Sequence, residues 1–587
     1  MDRNTVEPKY KWKLEDIFPT DEEWESEFKK LEDEFCAIET IESDLTKSAA
    51  GLAASLKKID EMSLSVERLF VYARMRRDED NANGKYQAMT DRAMGLSVRL
   101  SSALAFVNPT LLAMDENTLR SWAEKTEGLA DYRFMISDLL RQKKHVLGRG
   151  EERLLAMASD FASGAHDIFT MLNNADLTFG DVNGKPLTHG SYIVFMQDED
   201  REVRKKAYET YYQTYKNNIN TIAAAYSTSV KKDIFYAEAR GYESALQKSL
   251  FGDDVPVSLY ENLIKIVQKN LFVLHKYVDL KKRLLGIPEI RMYDIYAPLV
   301  PALKNEYSYE QARGIVLDGL APLGEDYAAL LSKAFSKGWI DVYESKGKTS
   351  GAYSWGVYGV HPYVLLNHRG DLDSVFTIAH ELGHAMHSYY SSQTQPYATS
   401  GYTIFVAEVA STVNEILLTH HLLQNSPGDL RKYILNHYLD QFRTTVIRQT
   451  MFAEFEKITY EMSAGGKPLT PESLCRAFGE LNQTYYGPGM TGDDIIPYEW
   501  SRIPHFYNAF YVYKYATGFS AAVQIAQNIM RTGDATAYRE FLTTGGSDYP
   551  LRELLIAQVD LKEGGPVEAC MQAFDAALSE FEKTFSN

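Results

Sequence analysis

A chain of 587 residues with 80 acidic and 62 basic side chains carries a net charge of −18, a field that repels nucleic acid and anionic membranes, so neither is expected as a partner. The length exceeds one ordinary hydrophobic core, and 45% hydrophobic with 24% charged residues is a globular rather than a disordered profile. Cys36, Cys475 and Cys570 lack metal-ligand spacing and make no disulfide framework, the start MDRNTVEPKYKWKLEDIF has no apolar leader, and no apolar run approaches the roughly 18 residues of a membrane span, so a soluble cytoplasmic protein is expected.

Helical patterning dominates in chain order. Leu177 to Thr188 breaks it first and reads as a hairpin turning at Asn183-Gly184, a type I′ signal. Ser191 to Arg240 and Val257 to Leu285 contain no Gly or Pro and read as long helices or helix pairs broken by short turns. A boundary near residue 200 is expected, with 1–200 an N-terminal helical domain and 201–587 the domain that carries the chemistry. GAYSWGVYG (Gly351 to Gly359) and PYVLLN (Pro362 to Asn367) read as two short strands. Asp371, Asp373 and Ser374 then offer N-caps for a helix. Tyr402 to Ser426 and Asp429 to Ala464 are again free of Gly and Pro, with breaks at Ser426-Pro427-Gly428, Tyr486 to Gly492 and Gly545-Gly546-Ser547. The fold class expected is mainly α.

The helix after Ser374 contains His380-Glu381-Leu382-Gly383-His384, the pattern H-E-x-x-H. Residues four apart share one helix face, so both imidazoles can point at one Zn²⁺. Glu381 lies about 100° round from His380, beside the metal, where a general base belongs. Gly383 inside a helix suggests that something approaches the helix backbone closely there, or is merely tolerated.

A catalytic zinc needs a third protein ligand and one open position. The extended H-E-x-x-H-x-x-G-x-x-H pattern fails, because His387 and Tyr390 stand where Gly and His would be needed. Glu408, in FVAEVASTVNEI, has apolar neighbours on both sides and follows His384 by enough chain for a turn and a return helix. Burying an unpaired carboxylate is costly, and a metal relieves that cost. Glu415, seven residues on, either takes the outer N–H of a ligand histidine or is an ordinary surface charge. His387 reads as a packed helix histidine, His361 and His368 as polar strand ends, and His420 and His421 have no argued role.

These parts imply hydrolysis. Zinc lowers the pKa of a bound water toward about 7. Glu381 takes its proton, and the hydroxide attacks a carbonyl. Glu381 then returns the proton to a leaving amine. Such chemistry needs a second electrophile for the oxyanion, a Tyr hydroxyl or His N–H. The stretch from His505 to Tyr515 (HFYNAFYVYKY) is dense in both, although with 39 tyrosines in the chain an aromatic helix face can also be plain core.

The segments HPY, FTIAHELGHAMH, FVAEVASTVNE and IPHFYNAFYVYKYATG, with the opening YKWKLEDIFPTDEEW and the late GGSDYP, resemble the oligoendopeptidase F family of thimet-oligopeptidase-like zinc metallopeptidases. The resemblance covers nearly the whole chain. It implies a mainly helical, two-lobed ellipsoid with a deep substrate channel and a small sheet beside the motif helix. It implies one Zn²⁺ per chain on residues matching His380, His384 and Glu408, with Glu381 as base. His505 matches the family's transition-state histidine, and Tyr507 and Tyr513 are the expected partner tyrosines. It also implies endopeptidase action on short unstructured peptides, held by strand addition to the small sheet. An exopeptidase and a non-catalytic peptide binder with structural zinc are the alternatives. The first would need a group that captures a peptide terminus. An intact Glu381 argues against the second. Sequence sets no oligomeric state.

Overall fold

The computed structural model describes residues 1–300 and 306–585 and is built mainly from helices. The chain forms two compact units, each gathered from three stretches: Met1–Lys144, Asn305–His421 and Ile525–Gln558 in the first, His145–Lys304, Leu422–Gln524 and Val559–Asn587 in the second. Residue 200 lies inside the second unit, so the boundary expected there is not a boundary of these units. A unit is set by packing between stretches far apart in sequence.

In the first unit, α1 (Asp21–Glu34), α2 (Ala49–Glu79) and α3 (Gly84–Ala103) form a helical core. Trp12, Trp24, Phe28, Leu69, Tyr72 and Met75 are buried there and join Val357, Tyr363 and Leu365 from the sheet. Each such side chain, fully buried, contributes about 1.5–3 kcal/mol. The sheet has three strands, β1 (Ile340–Asp341), β2 (Tyr353–Trp355) and β3 (Tyr363–Leu365), in the order β1-β3-β2. β1 runs parallel to β3, and β2 antiparallel with Ser354 opposite Val364. The two expected strands are present but shorter; β1 is two residues long, too short for any periodicity to announce it. Arg3 ties the N-terminus to this sheet, bonding Asp341 at 2.6 and 3.0 Å and Glu79 on α2 at 2.7 Å.

Gly84–Ala113 is long and apolar enough to cross a membrane by length and composition alone, which corrects the expectation that no such run exists. Its helix ends at Ala103, before Val107–Ala113 begins. Met89, Ala93, Leu96 and Leu100 face the core, and Arg92 and Arg99 pair with Glu25 and Glu32 at 2.6 Å. That is the pattern of an amphipathic helix of a globular core.

Two longer helices follow the sheet, α4 (Leu372–Thr394) and α5 (Ile404–Asn425). Asp371 caps α4, its carboxylate accepting from Ser374 N at 2.8 Å. The loop joining α4 to α5 is held from the far end of the chain. Thr543 O accepts from Thr394 Oγ1 at 2.8 Å and Gln395 Nε2 at 2.9 Å, and Gly546 N donates to Thr399 O at 2.8 Å. A Cβ on Gly546 would lie 2.3 Å from Gly401 O, so only glycine fits.

Behind this clamp, α6 (Pro550–Ile556) carries Glu553, which is 1% exposed and, among the described residues, accepts only a 3.5 Å bond from Asp548 N. Burial pushes its carboxyl up to about 8, against that bond and helped by the Asp548 charge. The folded state therefore holds this proton when the unfolded chain has lost it. Stability should fall as pH rises from the ordinary carboxylate range to about 8, by roughly a few kcal/mol in all. Glu553→Gln should remove that slope, as read from urea midpoints at pH 5.5 and 8.5. An unchanged slope would mean the group ionises normally.

In the second unit, the hairpin pairs Asp181 with Pro186 and Val182 with Lys185. Asn183 and Gly184 sit at φ +54° and +76°, the two left-handed residues that an Asn-Gly type I′ turn requires. The Gly/Pro-free stretch from 191 to 240 resolves into the end of His189–Met196, then Arg201–Asn217 and Ile219–Ala239. The stretch from 429 to 464 runs Gly428–Gln441, a π-turn at Phe442–Ile447, and Arg448–Ala464.

Candidate metal centre

The motif helix α4 is buried almost all round: Val375, Ile378, Ala379, Leu382, Ala385 and Met386 are each at most 1% exposed. His380 and His384 emerge on the face toward α5. The ligand atoms of His380, His384 and Glu408 all lie within 4.8 Å of one another. Glu408 Oε2 is 3.4 Å from His380 Nε2 and 3.6 Å from His384 Nε2. The other nitrogen of His380, Nδ1, hydrogen-bonds the Glu415 carboxylate. Of the two readings of Glu415, the orienting one is therefore the one its geometry fits: it meets the ring nitrogen turned away from the convergent set.

Gly383 explains how α5 comes so near. A Cβ there would meet Ser411 Cα at 2.5 Å, Ser411 N at 2.6 Å and the Ala410 carbonyl carbon at 2.8 Å. The two helix backbones touch at this point, and Glu408 sits one turn before it. Asn414 ties them again, donating to Ala379 O at 3.0 Å while accepting from Tyr327 OH at 3.1 Å. Sequence reasoning passed over Asn414 and Tyr327; an amide between apolar residues of a buried helix was the available signal. Gly383→Ala should drive α4 and α5 about 1 Å apart and cost about 1–3 kcal/mol as an overpacked core does, despite a better helix former. The measured metal affinity should fall as well, because Glu408 moves with α5. A destabilised variant with undiminished metal affinity would disconnect the glycine from the site.

The electrostatics are those of a cation site. Burial lowers the His380 pKa, but its hydrogen bonds to the accepting carboxylates of Glu408 and Glu415 outweigh that and raise the group to about 10. Glu408 is held far below the ordinary carboxylate range, first by its bond to His380 and then by that to His384. The carboxylates thus draw positive charge into the cluster. Two imidazole nitrogens and one carboxylate oxygen also match the donor set of a three-ligand zinc site with an open position. Glu381, 7% exposed, donates and accepts no hydrogen bond among those described and feels both histidines and both glutamates. Burial raises its pKa above the ordinary value, which the two histidines partly offset.

The other histidines have structural surroundings. His387 is fully buried and stacks on Tyr402 at 3.7 Å. Burial pushes its pKa down to about 3. His361 stacks on Trp339 at 5.0 Å, and His368 meets Tyr307 O at 3.0 Å.

His505 belongs to the second unit, in the short turn Pro504–Tyr507, and is half-buried. The two tyrosines expected beside it are elsewhere. Tyr507 is 8% exposed and stacks on Phe169 at 4.4 Å, and Tyr513 is fully buried against Tyr260 at 5.2 Å. The hydroxyl that reaches His505 is that of Tyr515, 3.3 Å from Nε2, with the Tyr511 ring 5.5 Å from Tyr515. The reason is helical phase. Tyr513 opens the helix Tyr513–Thr532, and two steps of about 100° put Tyr515 on the opposite side. When Tyr513 faces the core, Tyr515 cannot.

Comparison with known proteins agrees with this geometry. Residues 194–573 match Peptidase family M3, and residues 111–179 match Oligopeptidase F. Oligopeptidase PepF of Bacillus subtilis is 43% identical over 99% of this chain and 88% of its own. The crystal structure of a candidate peptidase from Chlamydophila abortus superposes with a TM-score of 0.94 at 33% identity, covering 99% of both chains. That of oligoendopeptidase-F from Enterococcus faecium gives 0.74 at 34% identity, over 96% of this chain and 99% of that one. The protein belongs to peptidase family M3, among its oligoendopeptidase F members, and is a metallopeptidase acting on oligopeptides.

Proposed function

We propose that this metallopeptidase is a zinc endopeptidase that cuts internal bonds of short, unstructured peptides. His380, His384 and Glu408 would hold one Zn²⁺, with Glu415 orienting His380. The observation that carries the reading is the convergence of three zinc-type donors on α4 and α5 beside a buried Glu381 with no hydrogen bond among the described residues. A bound zinc supplies a Lewis acid that makes water acidic near neutral pH and polarises a carbonyl. Glu381 takes the proton of the attacking water and passes it to the leaving amine. Its raised pKa suits both halves of that transfer, because a base whose affinity lies nearer neutrality also gives the proton up. In the second unit, His505 and Tyr515 are assigned the donor role toward the developing oxyanion, in place of Tyr507 and Tyr513.

The purified protein should cut short peptides internally, lose that activity to a chelator and recover it with Zn²⁺. Mass-spectrometric mapping of peptides of graded length would read this directly. Stepwise trimming from one end would replace the reading with an exopeptidase. Tyr515→Phe should cost about 2–4 kcal/mol of transition-state stabilisation, seen as a fall in kcat with KM nearly unchanged, while Tyr513→Phe should do far less. The reverse order would restore Tyr513.

A further inference from the structure

Phe510 has a left-handed backbone, φ +56°, a conformation that strains an aromatic L-residue. It lies between the His505 turn and the helix that carries Tyr515. Its N–H donates to Glu456 Oε1 at 2.8 Å. Its ring, 1% exposed, packs on Tyr460 at 4.5 Å and edge-on to Tyr260 at 5.8 Å. The flanks are tied too: Ser249 Oγ donates to Ala509 O at 3.0 Å, and Lys514 Nζ meets Asp253 at 2.7 Å.

Glu456 is the unusual member. It stands on the helix Arg448–Ala464, is wholly buried, and forms no salt bridge among the described residues. Its second oxygen has no hydrogen-bond partner there. A buried carboxyl with one bond is costly, and the one bond it makes is to the strained residue. Reversal of the chain at Phe510 lets His505, before it, and Tyr515, after it, come within 3.3 Å.

We propose that Glu456 is a positioning residue for the His505–Tyr515 pair, acting through the Phe510 backbone and touching neither side chain. Burial pushes its carboxyl well above the ordinary range, and glutamine, which keeps an acceptor oxygen in the same place, is a fair substitute. The functional half of this inference rests on the role proposed above for His505 and Tyr515.

The test is a set of variants in the full-length, zinc-loaded protein, each checked for metal content and folding. Glu456→Leu should lower kcat about tenfold or more with KM within about twofold, as expected for a misplaced transition-state donor. Glu456→Gln should stay within about threefold of wild type. Adding Phe510→Gly to Glu456→Leu should restore most of the loss, because glycine adopts positive φ without the tether. Glu456→Asp, which retracts the acceptor by one methylene, gives the same reading if the leucine variant does not fold. The imidazole ¹⁵N resonances of His505 should shift in the leucine or aspartate variant and return with Phe510→Gly. Tyr515→Phe and His505→Gln are run alongside. If these two lose kcat while the Glu456 variants neither lose kcat nor shift His505, the inference falls. If the Glu456 variants shift His505 but Tyr515→Phe and His505→Gln keep full kcat, the catalytic reading falls and the positioning stands. Failure of Phe510→Gly to rescue would make Glu456 a plain core group.

Discussion

Glu381→Gln should leave the metal content at wild-type level and lower kcat about 10²- to 10⁴-fold, the usual contribution of a positioned general base. Glu381 is 7% exposed and not among the convergent donors, so its loss removes no ligand. Burial already disfavours its charged form, so a neutral amide of the same shape relieves a desolvation cost. The variant should therefore unfold no more easily than wild type, and loss of turnover cannot be blamed on the fold. Metal analysis after gel filtration, a thermal melt and turnover of a quenched fluorescent peptide check the three parts. Substantial residual turnover would mean another group accepts the proton.

Glu408→Ala should fail at the earlier step of holding the metal. Glu408 supplies the only carboxylate among the three donors, and it also holds positive charge on His380. Its side chain is half exposed, so removing it leaves no cavity and should cost the fold little. After dialysis the variant should retain well under one ion per chain, and excess Zn²⁺ should restore only part of the activity. Glu415→Ala should be milder, about 10–100-fold in metal affinity, as for other residues that orient a ligand histidine. A full complement of metal in the Glu408 variant would move the third ligand elsewhere.

The difference between these two glutamates was only partly legible beforehand. The odd placement of Glu408 among apolar residues can be read from the letters. The orienting part of Glu415 needed a distance, since a surface charge two turns along the same helix spells the same way. Gly383 shows the same limit. A glycine inside a helix signals some close approach, but only the packed structure names Ser411 as the neighbour.

The stretch around His505 is where the letters leave side-chain direction open. It contains Tyr507, Tyr511, Tyr513 and Tyr515 within nine residues, and no spacing rule says where the helix begins. Just before it stands Phe510, left-handed and donating its N–H to Glu456 on a different helix. Side-chain direction then follows from the starting residue, and Tyr515 rather than Tyr513 reaches the histidine.

The helical class, the Asn-Gly hairpin and the two strands before α4 were legible in the sequence, which also singled out His380, His384 and Glu408 as candidate metal ligands. The first three rest on short-range rules, helical period and turn chemistry; Glu408 was singled out as a buried carboxylate, whereas its side chain is half exposed and it is its distance to the two histidines that marks it. Only the tertiary structure decided how the chain is shared between two units, that the loop joining α4 and α5 is clamped by Thr543–Gly546, and which tyrosine meets His505. Each of these depends on contacts between residues separated by tens to hundreds of positions, which pattern along a chain does not encode and packing does.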